Sequence, residues 1–114
     1  MLEDYCRKLD DAAKRMLKPG TYVFTCFNKD TLATMRRIDP EAPTGYIVGG
    51  DLGEAHIADA KALGCCGIAP RVTSSKEMIA RARAEGLTVC LWMCQDAKTY
   101  AECAAKGADR VTSD

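Results

Sequence analysis

The sequence holds a single histidine, His56, and a single tryptophan, Trp92, and aromatic residues make up only 6 % of its 114 positions. One histidine cannot form a histidine acid–base pair, and it cannot complete a Cys/His zinc site of the usual spacing. No Cys-x-x-Cys occurs, which removes the usual dithiol-redox and zinc-ribbon signatures. Neither charge is in excess, since 16 Lys and Arg offset 16 Asp and Glu. The electrostatic footprint of a nucleic-acid or anionic-membrane binder is therefore missing. No apolar run approaches the roughly 18 residues needed to cross a bilayer. The opening Met1-Leu2-Glu3-Asp4-Tyr5 is charged and helical in character, so no secretory leader is expected. What is present, 47 % hydrophobic and 28 % charged residues, is the composition of a soluble globular chain of one domain.

Cysteine is the exception to this scarcity. There are seven: Cys6, Cys26, Cys65, Cys66, Cys90, Cys94 and Cys103. An odd count argues against a closed disulfide framework, and a reducing cytoplasmic setting is the expectation. Cys90 and Cys94 lie in an apolar run that reads as a strand, where four residues separate them by about 13 Å. That is too far for a bridge or joint chelation. The thiols are expected to act as small buried hydrophobes.

Along the chain one pattern repeats. Leu2, Tyr5, Leu9, Ala12, Ala13, Met16 and Leu17 form a helical stripe, ended by Lys18-Pro19-Gly20. A β-rich run follows at Tyr22–Phe27, then a helix capped by Asn28 and stopped by Pro40 and Pro43. Gly45–Val48 is the second strand, His56–Leu63 the next helix with Gly64 as its stop, and Cys66–Ala69 the third strand. Ser74-Ser75-Lys76-Glu77 reads as a capping box from Ser74 to Glu77, and Gly86 sits where a left-handed helix cap belongs. Thr88–Met93 is the fourth strand, Asp96 caps another helix ended by Gly107, and Arg110–Thr112 is the fifth.

Strand starts recur every 21 to 23 residues. Strands alternating with helices at that period predict an α/β fold with a parallel sheet. The ladder opens on a helix and closes on a strand, so it is expected to be part of a longer array. A complete (β/α)8 barrel needs roughly 200 residues. Periodicity leaves two arrangements open: consecutive staves of a barrel, or an open doubly wound sheet.

The strand ends carry a resemblance. Thr25-Cys26-Phe27-Asn28, with Leu32 and Ile38-Asp39-Pro40 after it, resembles the Ser-Phe strand end and following helix of glycerophosphodiester phosphodiesterases. Ala84-Glu85-Gly86-Leu87 and Thr88-Val89-Cys90-Leu91-Trp92-Met93-Cys94-Gln95-Asp96 are similar to their Gly-Leu…Val-x-x-Trp-Thr-Val-Asn segment. Gly107-Ala108-Asp109-Arg110-Val111-Thr112-Ser113-Asp114 is similar to their closing Gly-Val-Asp-Gly-Ile-Ile-Thr-Asp. The likeness runs from about Tyr22 to the C-terminus in the family's order and spacing.

This resemblance implies a single partial-barrel domain over 1–114: a leading helix within 1–18, then about the last five strands of a TIM (β/α)8 barrel over 22–114. It implies the family reaction, hydrolysis of glycerophosphodiesters to an alcohol and glycerol phosphate with a divalent cation, calcium or magnesium. The family's histidine pair, one member in a His-Arg motif, and its Glu-x-Asp metal ligands have no counterpart here. The chain alone is therefore expected to be inactive, to bind no cofactor, and to contact substrate only when an N-terminal half completes it. Phe27 and Trp92 match family positions that form an apolar wall beside the glycerol or alcohol moiety.

Asp51, Gln95 and Asp114 also fall near strand ends. Cys26 stands in place of the usual Ser, and Met93-Cys94-Gln95 in place of Thr-Val-Asn. Two readings from other classes remain. One is a non-catalytic half-barrel that dimerises through open sheet edges. The other is a small flavodoxin-like domain holding a phosphate on Gly49-Gly50-Asp51-Leu52-Gly53. His56 is expected at the surface, and Lys14-Arg15 and Arg36-Arg37 read as ordinary charged helix faces.

Overall fold

The computed structural model describes residues 2–18 and 22–113. Helix α1 (Leu2–Met16) is followed by β1 (Phe24–Cys26), α2 (Lys29–Ile38), β2 (Thr44–Ile47), α3 (Glu54–Ala62) and β3 (Gly67–Ala69). Then come α4 (Lys76–Ala84), β4 (Thr88–Cys94), α5 (Ala97–Ala105) and β5 (Arg110–Ser113). The alternation is the one that the hydrophobic pattern predicts.

Local chemistry sets most boundaries. The Asn28 side chain accepts the amides of Asp30 and Thr31 at 2.8 and 3.2 Å, and Asp96 accepts that of Thr99 at 2.7 Å, so both expected caps form. Gly86 follows α4 with φ +85°. A Cβ there would meet nothing within 4 Å, so the left-handed backbone alone calls for glycine. The expected capping box does not form, and the cap lies one residue later than the sequence suggests. Ser75, not Ser74, caps α4 by accepting the Met78 amide at 3.2 Å. Ser74 is fully buried, and other partners hold it: its Oγ donates to the Arg71 carbonyl at 2.7 Å and accepts the Leu52 amide at 3.0 Å.

The strands pair in the order β1-β2-β3-β4-β5, all parallel. Each crossover steps one strand onward, and right-handed crossovers of that kind lay their helices on the same face. The core confirms it. Tyr46, Ile68, Val89 and Leu91 from the strands pack with Leu32, Ile57, Ala60, Ile79, Ala82 and Cys103 from the helices. Alternate strand residues, among them Thr25, Ile47, Ala69 and Cys90, look the other way into an open hollow. A flavodoxin-like sheet reverses its strand order and carries helices on both faces. The sequential order and one-sided helix layer overturn that reading.

Helix α1 packs on α2 through a second cluster of Cys6, Met35 and Ala42, flanked by Phe24 and Ile38. Lys14 bridges buried Asp10 at 3.3 Å and Asp39 at 2.9 Å, so it ties the two helices together rather than lying on a plain charged face. Burial pushes the Asp10 carboxyl up, whereas the Lys14 ammonium holds Asp39 below its usual range. Around the outside, Lys29–Asp59, Lys61–Glu85 and Arg81–Glu54 link successive helices at 2.7, 2.9 and 2.8 Å. Exposed pairs of this kind contribute about 0–1 kcal/mol each. They account for the even mixture of charge more than for stability.

Two outcomes follow for stability. Leu91 is wholly buried, so Leu91→Ala lowers unfolding free energy by about 2–5 kcal/mol in urea denaturation. The Thr99 amide holds Asp96 below the usual carboxylate range. With its folded pKa depressed, its stabilisation is full above the unfolded value of about 3.9 and is lost as pH falls through the lower folded value. Asp96→Asn keeps a capping oxygen but does not titrate, so its thermal midpoint loses less than the wild type's between neutral and strongly acidic pH.

Candidate functional site

Because all strands are parallel, their carboxyl ends share one rim. Phe27 follows β1, the Gly49–Gly53 loop follows β2, Arg71 to Ser74 follow β3, and Trp92 to Gln95 close β4. Below the rim the inner face encloses about 510 Å³, lined by Thr25, Phe27, Ile47, Ala69, Cys90 and Trp92 among others. A flat sheet would hold β1 and β4 about 14 Å apart. Here the rings of Phe27 and Trp92 meet edge to face, with centroids 6.5 Å apart and planes at 87°. The sheet curls inward, and that curl brings the two predicted wall residues together.

Trp92 is held firmly. Its indole Nε1 donates to the Ala69 carbonyl at 2.7 Å, its amide donates to Pro70 at 3.1 Å, and its carbonyl accepts from Val72 at 2.7 Å. It lies half-buried on the hollow side, not in the helix-side core. Phe27 is 60 % exposed, an apolar ring offered to whatever enters. The Arg71 guanidinium sits over the Trp92 ring, 5.4 Å from its centroid.

The other sequence candidates are dispersed. Asp51 is exposed and accepts a hydrogen bond from the Thr73 hydroxyl. Within the glycine loop, Leu52 donates to Ser74 and Gly53 donates to His56 Nδ1 at 3.0 Å, so two of its five amides are engaged. His56 is thereby occupied in closing the start of α3. Gln95 is exposed, and Asp114 lies outside the described residues. Cys26 turns toward the helix layer, where its sulfur accepts the Asn28 amide at 3.3 Å.

All seven cysteines are free thiols. Burial pushes the Cys6, Cys65 and Cys103 thiols up, which makes them poor nucleophiles. Among the described residues, no group of three or more His, Cys, Asp or Glu side chains could hold a metal ion. The family's divalent cation therefore does not fit this residue set. Arg71 belongs to none of the motifs above. Its one sequence signal is its place directly after Pro70 at a strand end.

Five sequential parallel strands, a helix layer on one face and a hollow beneath the carboxyl rim on the other define part of a TIM barrel. The sequence matches the glycerophosphoryl diester phosphodiesterase family over residues 1–114, and the chain belongs to that family. Among solved structures it is similar to an Oleispira antarctica phosphodiesterase determined with its product sn-glycerol-3-phosphate, at 20 % identity and a TM-score of 0.87 over 98 % of this chain and 46 % of that one. It is also similar to a glycerophosphodiester phosphodiesterase from Parabacteroides distasonis, at 24 % identity and a TM-score of 0.82, covering 99 % and 47 %. A 3-hexulose-6-phosphate synthase matches as well, at 13 % identity and a TM-score of 0.73 over 98 % and 60 %. At such identities the structural likeness shows the fold alone. The chain spans about half the length of the phosphodiesterases it matches. No curated protein matches its sequence.

The buried Ser74 hydroxyl ties the two loops of this rim. Ser74→Ala strands the Leu52 amide and is expected to cost about 1–3 kcal/mol. Hydrogen exchange at Leu52 speeds up, while exchange in the centre of β4 changes only by the global loss of stability.

Proposed function

We propose that this chain forms the C-terminal part of a glycerophosphodiester phosphodiesterase barrel and supplies its substrate wall. The observation that carries this is the Phe27–Trp92 pair at the carboxyl rim, above a hollow that its own strands leave open. The substrate is a glycerophosphodiester of lipid metabolism, and the products are an alcohol and glycerol phosphate. Phe27 and Trp92 flank the glycerol or alcohol carbons and exclude water from one side of the phosphodiester.

Hydrolysis also needs a base for the attacking water, an acid for the leaving oxygen and stabilisation of developing charge. In the family, the His-Arg and Glu-x-Asp motifs and a divalent cation supply these, and this sequence contains neither motif. Alone, the chain is therefore inactive. Its open face takes up the strands of a barrel's other half, an occupant supported by the twofold length of the matching phosphodiesterases. The thiol-rich composition fits a reducing, cytoplasmic setting. No helix of the described residues is long and apolar enough to cross a membrane.

A second copy of the chain is the runner-up occupant of that face, favoured by exposed Val23 and Phe27 flanking the edge strand β1.

The test is complementation. The chain is assayed for glycerophosphocholine hydrolysis with calcium or magnesium, alone and co-purified with N-terminal family strands that carry both motifs. Turnover is expected only in the complemented form, where Trp92→Ala lowers kcat/KM about tenfold, chiefly through KM. Turnover by the chain alone that disappears in His56→Ala overturns the reading. A stable dimer in light scattering that refuses the N-terminal strands transfers the open face to the second copy.

A further inference from the structure

Arg71 stands at the carboxyl rim, just after β3. Its main chain is pinned on three sides. The amide donates to the Gly50 carbonyl at 3.0 Å, and the carbonyl accepts from the Ser74 amide at 3.1 Å and from Ser74 Oγ at 2.7 Å. It also bridges Trp92 across the sheet. The guanidinium then lies over the Trp92 ring. Arg7, Arg37, Arg81 and Arg83 each pair with a carboxylate. Among the described residues Arg71 pairs with none, and Asp51 in the adjoining loop is engaged by Thr73.

A guanidinium seated on a ring face keeps its in-plane N–H donors for a ligand, and their fork matches two oxygens of a phosphate or carboxylate. The same seat excludes a competitor. A quaternary ammonium binds tryptophan through the ring face, and Arg71 already places a positive charge there.

We infer that Arg71, stacked on Trp92, recognises an anionic phosphate or carboxylate group of the ligand at this rim and biases the site against choline-bearing alcohols. This rests on the reading of the rim as a glycerophosphodiester wall, and it adds the preferred class of substrate. The guanidinium acts by binding and orientation and takes no part in bond cleavage.

Trp92 is the sole tryptophan, so its fluorescence reports the site directly in the unmodified chain. The probes are sn-glycerol 3-phosphate, inorganic phosphate, glycerophosphoserine, glycerophosphocholine and choline chloride. The first two are expected to give a saturable change that weakens with salt, and glycerophosphocholine binds more weakly than sn-glycerol 3-phosphate. Arg71→Gln weakens the phosphate ligands about tenfold and narrows the gap to glycerophosphocholine, while Arg71→Lys recovers part of the affinity.

A response to inorganic phosphate places recognition on the phosphate itself. A response restricted to glycerophosphoserine places it on the charge of the alcohol. Either outcome supports the inference. Unchanged affinity in Arg71→Gln with native circular dichroism overturns it, as does choline chloride binding as tightly as phosphate, or no saturable response to any anion. Should Arg71→Gln bind normally while the complemented barrel still depends on Trp92, this inference alone fails. Should complementation fail while Arg71→Gln loses phosphate, the barrel reading alone fails.

Discussion

Each strand of the sheet is hydrogen-bonded to the one that precedes it in sequence, in parallel, and always in the same direction. A right-handed crossover can then place its helix on one side only. That single steric preference, applied at every step, makes burial one-sided. The helix side becomes a continuous apolar core centred on Val89, Leu91, Ile79 and Ile68, while the opposite face becomes a hollow. The carboxyl ends of all strands consequently open onto the same rim, and the loops there are free to carry chemistry.

The hollow side follows from the same constraint. Backbones approach closely where the sheet curls. A Cβ on Gly67 would sit 3.1 Å from the Thr88 carbonyl oxygen, and one on Gly45 would sit 3.2 Å from Thr25 Cγ2. Small residues low on the strands let the sheet bend, and the bend carries Phe27 to Trp92 at the top. The rim is stiffened by bonds between successive loops, with Ser74 reaching Leu52, Thr73 reaching Asp51 and Arg71 reaching Gly50. A rim held in this way has little conformational freedom left to lose.

Much of the element order could be read in the sequence because its causes are local. Asn28 and Asp96 cap helices through their own following amides, and Gly86 ends one through its own backbone angle. Ser74 departs from its local pattern for the converse reason. It has the residue type and spacing of a cap, but its partners lie in the loop before α3 and at Arg71, and burial between the loops outweighed a bond that Ser75 could make as well. Phe27 and Trp92 could be singled out through family likeness, although 65 residues of sequence separate them and nothing local says that they touch. Arg71 had no such aid, since its significance is wholly a matter of lying across from Trp92.

The sequence by itself determined the alternation of strand and helix, the Asn28, Asp96 and Gly86 caps and the family, because periodicity, turn chemistry and motif order are properties of neighbours along the chain. The thiols it left alike, and the fold buries Cys6, Cys65, Cys94 and Cys103 but exposes Cys66. Tertiary structure decided between a doubly wound sheet and part of a barrel, since both have the same periodicity and differ only in which strand pairs with which. It also decided the composition of the rim. Sheet curvature and loop-to-loop hydrogen bonds bring Phe27, Trp92 and Arg71 together while leaving His56 with its own helix and Ser74 buried between the rim loops, and those contacts depend on distances through space that residue spacing does not encode.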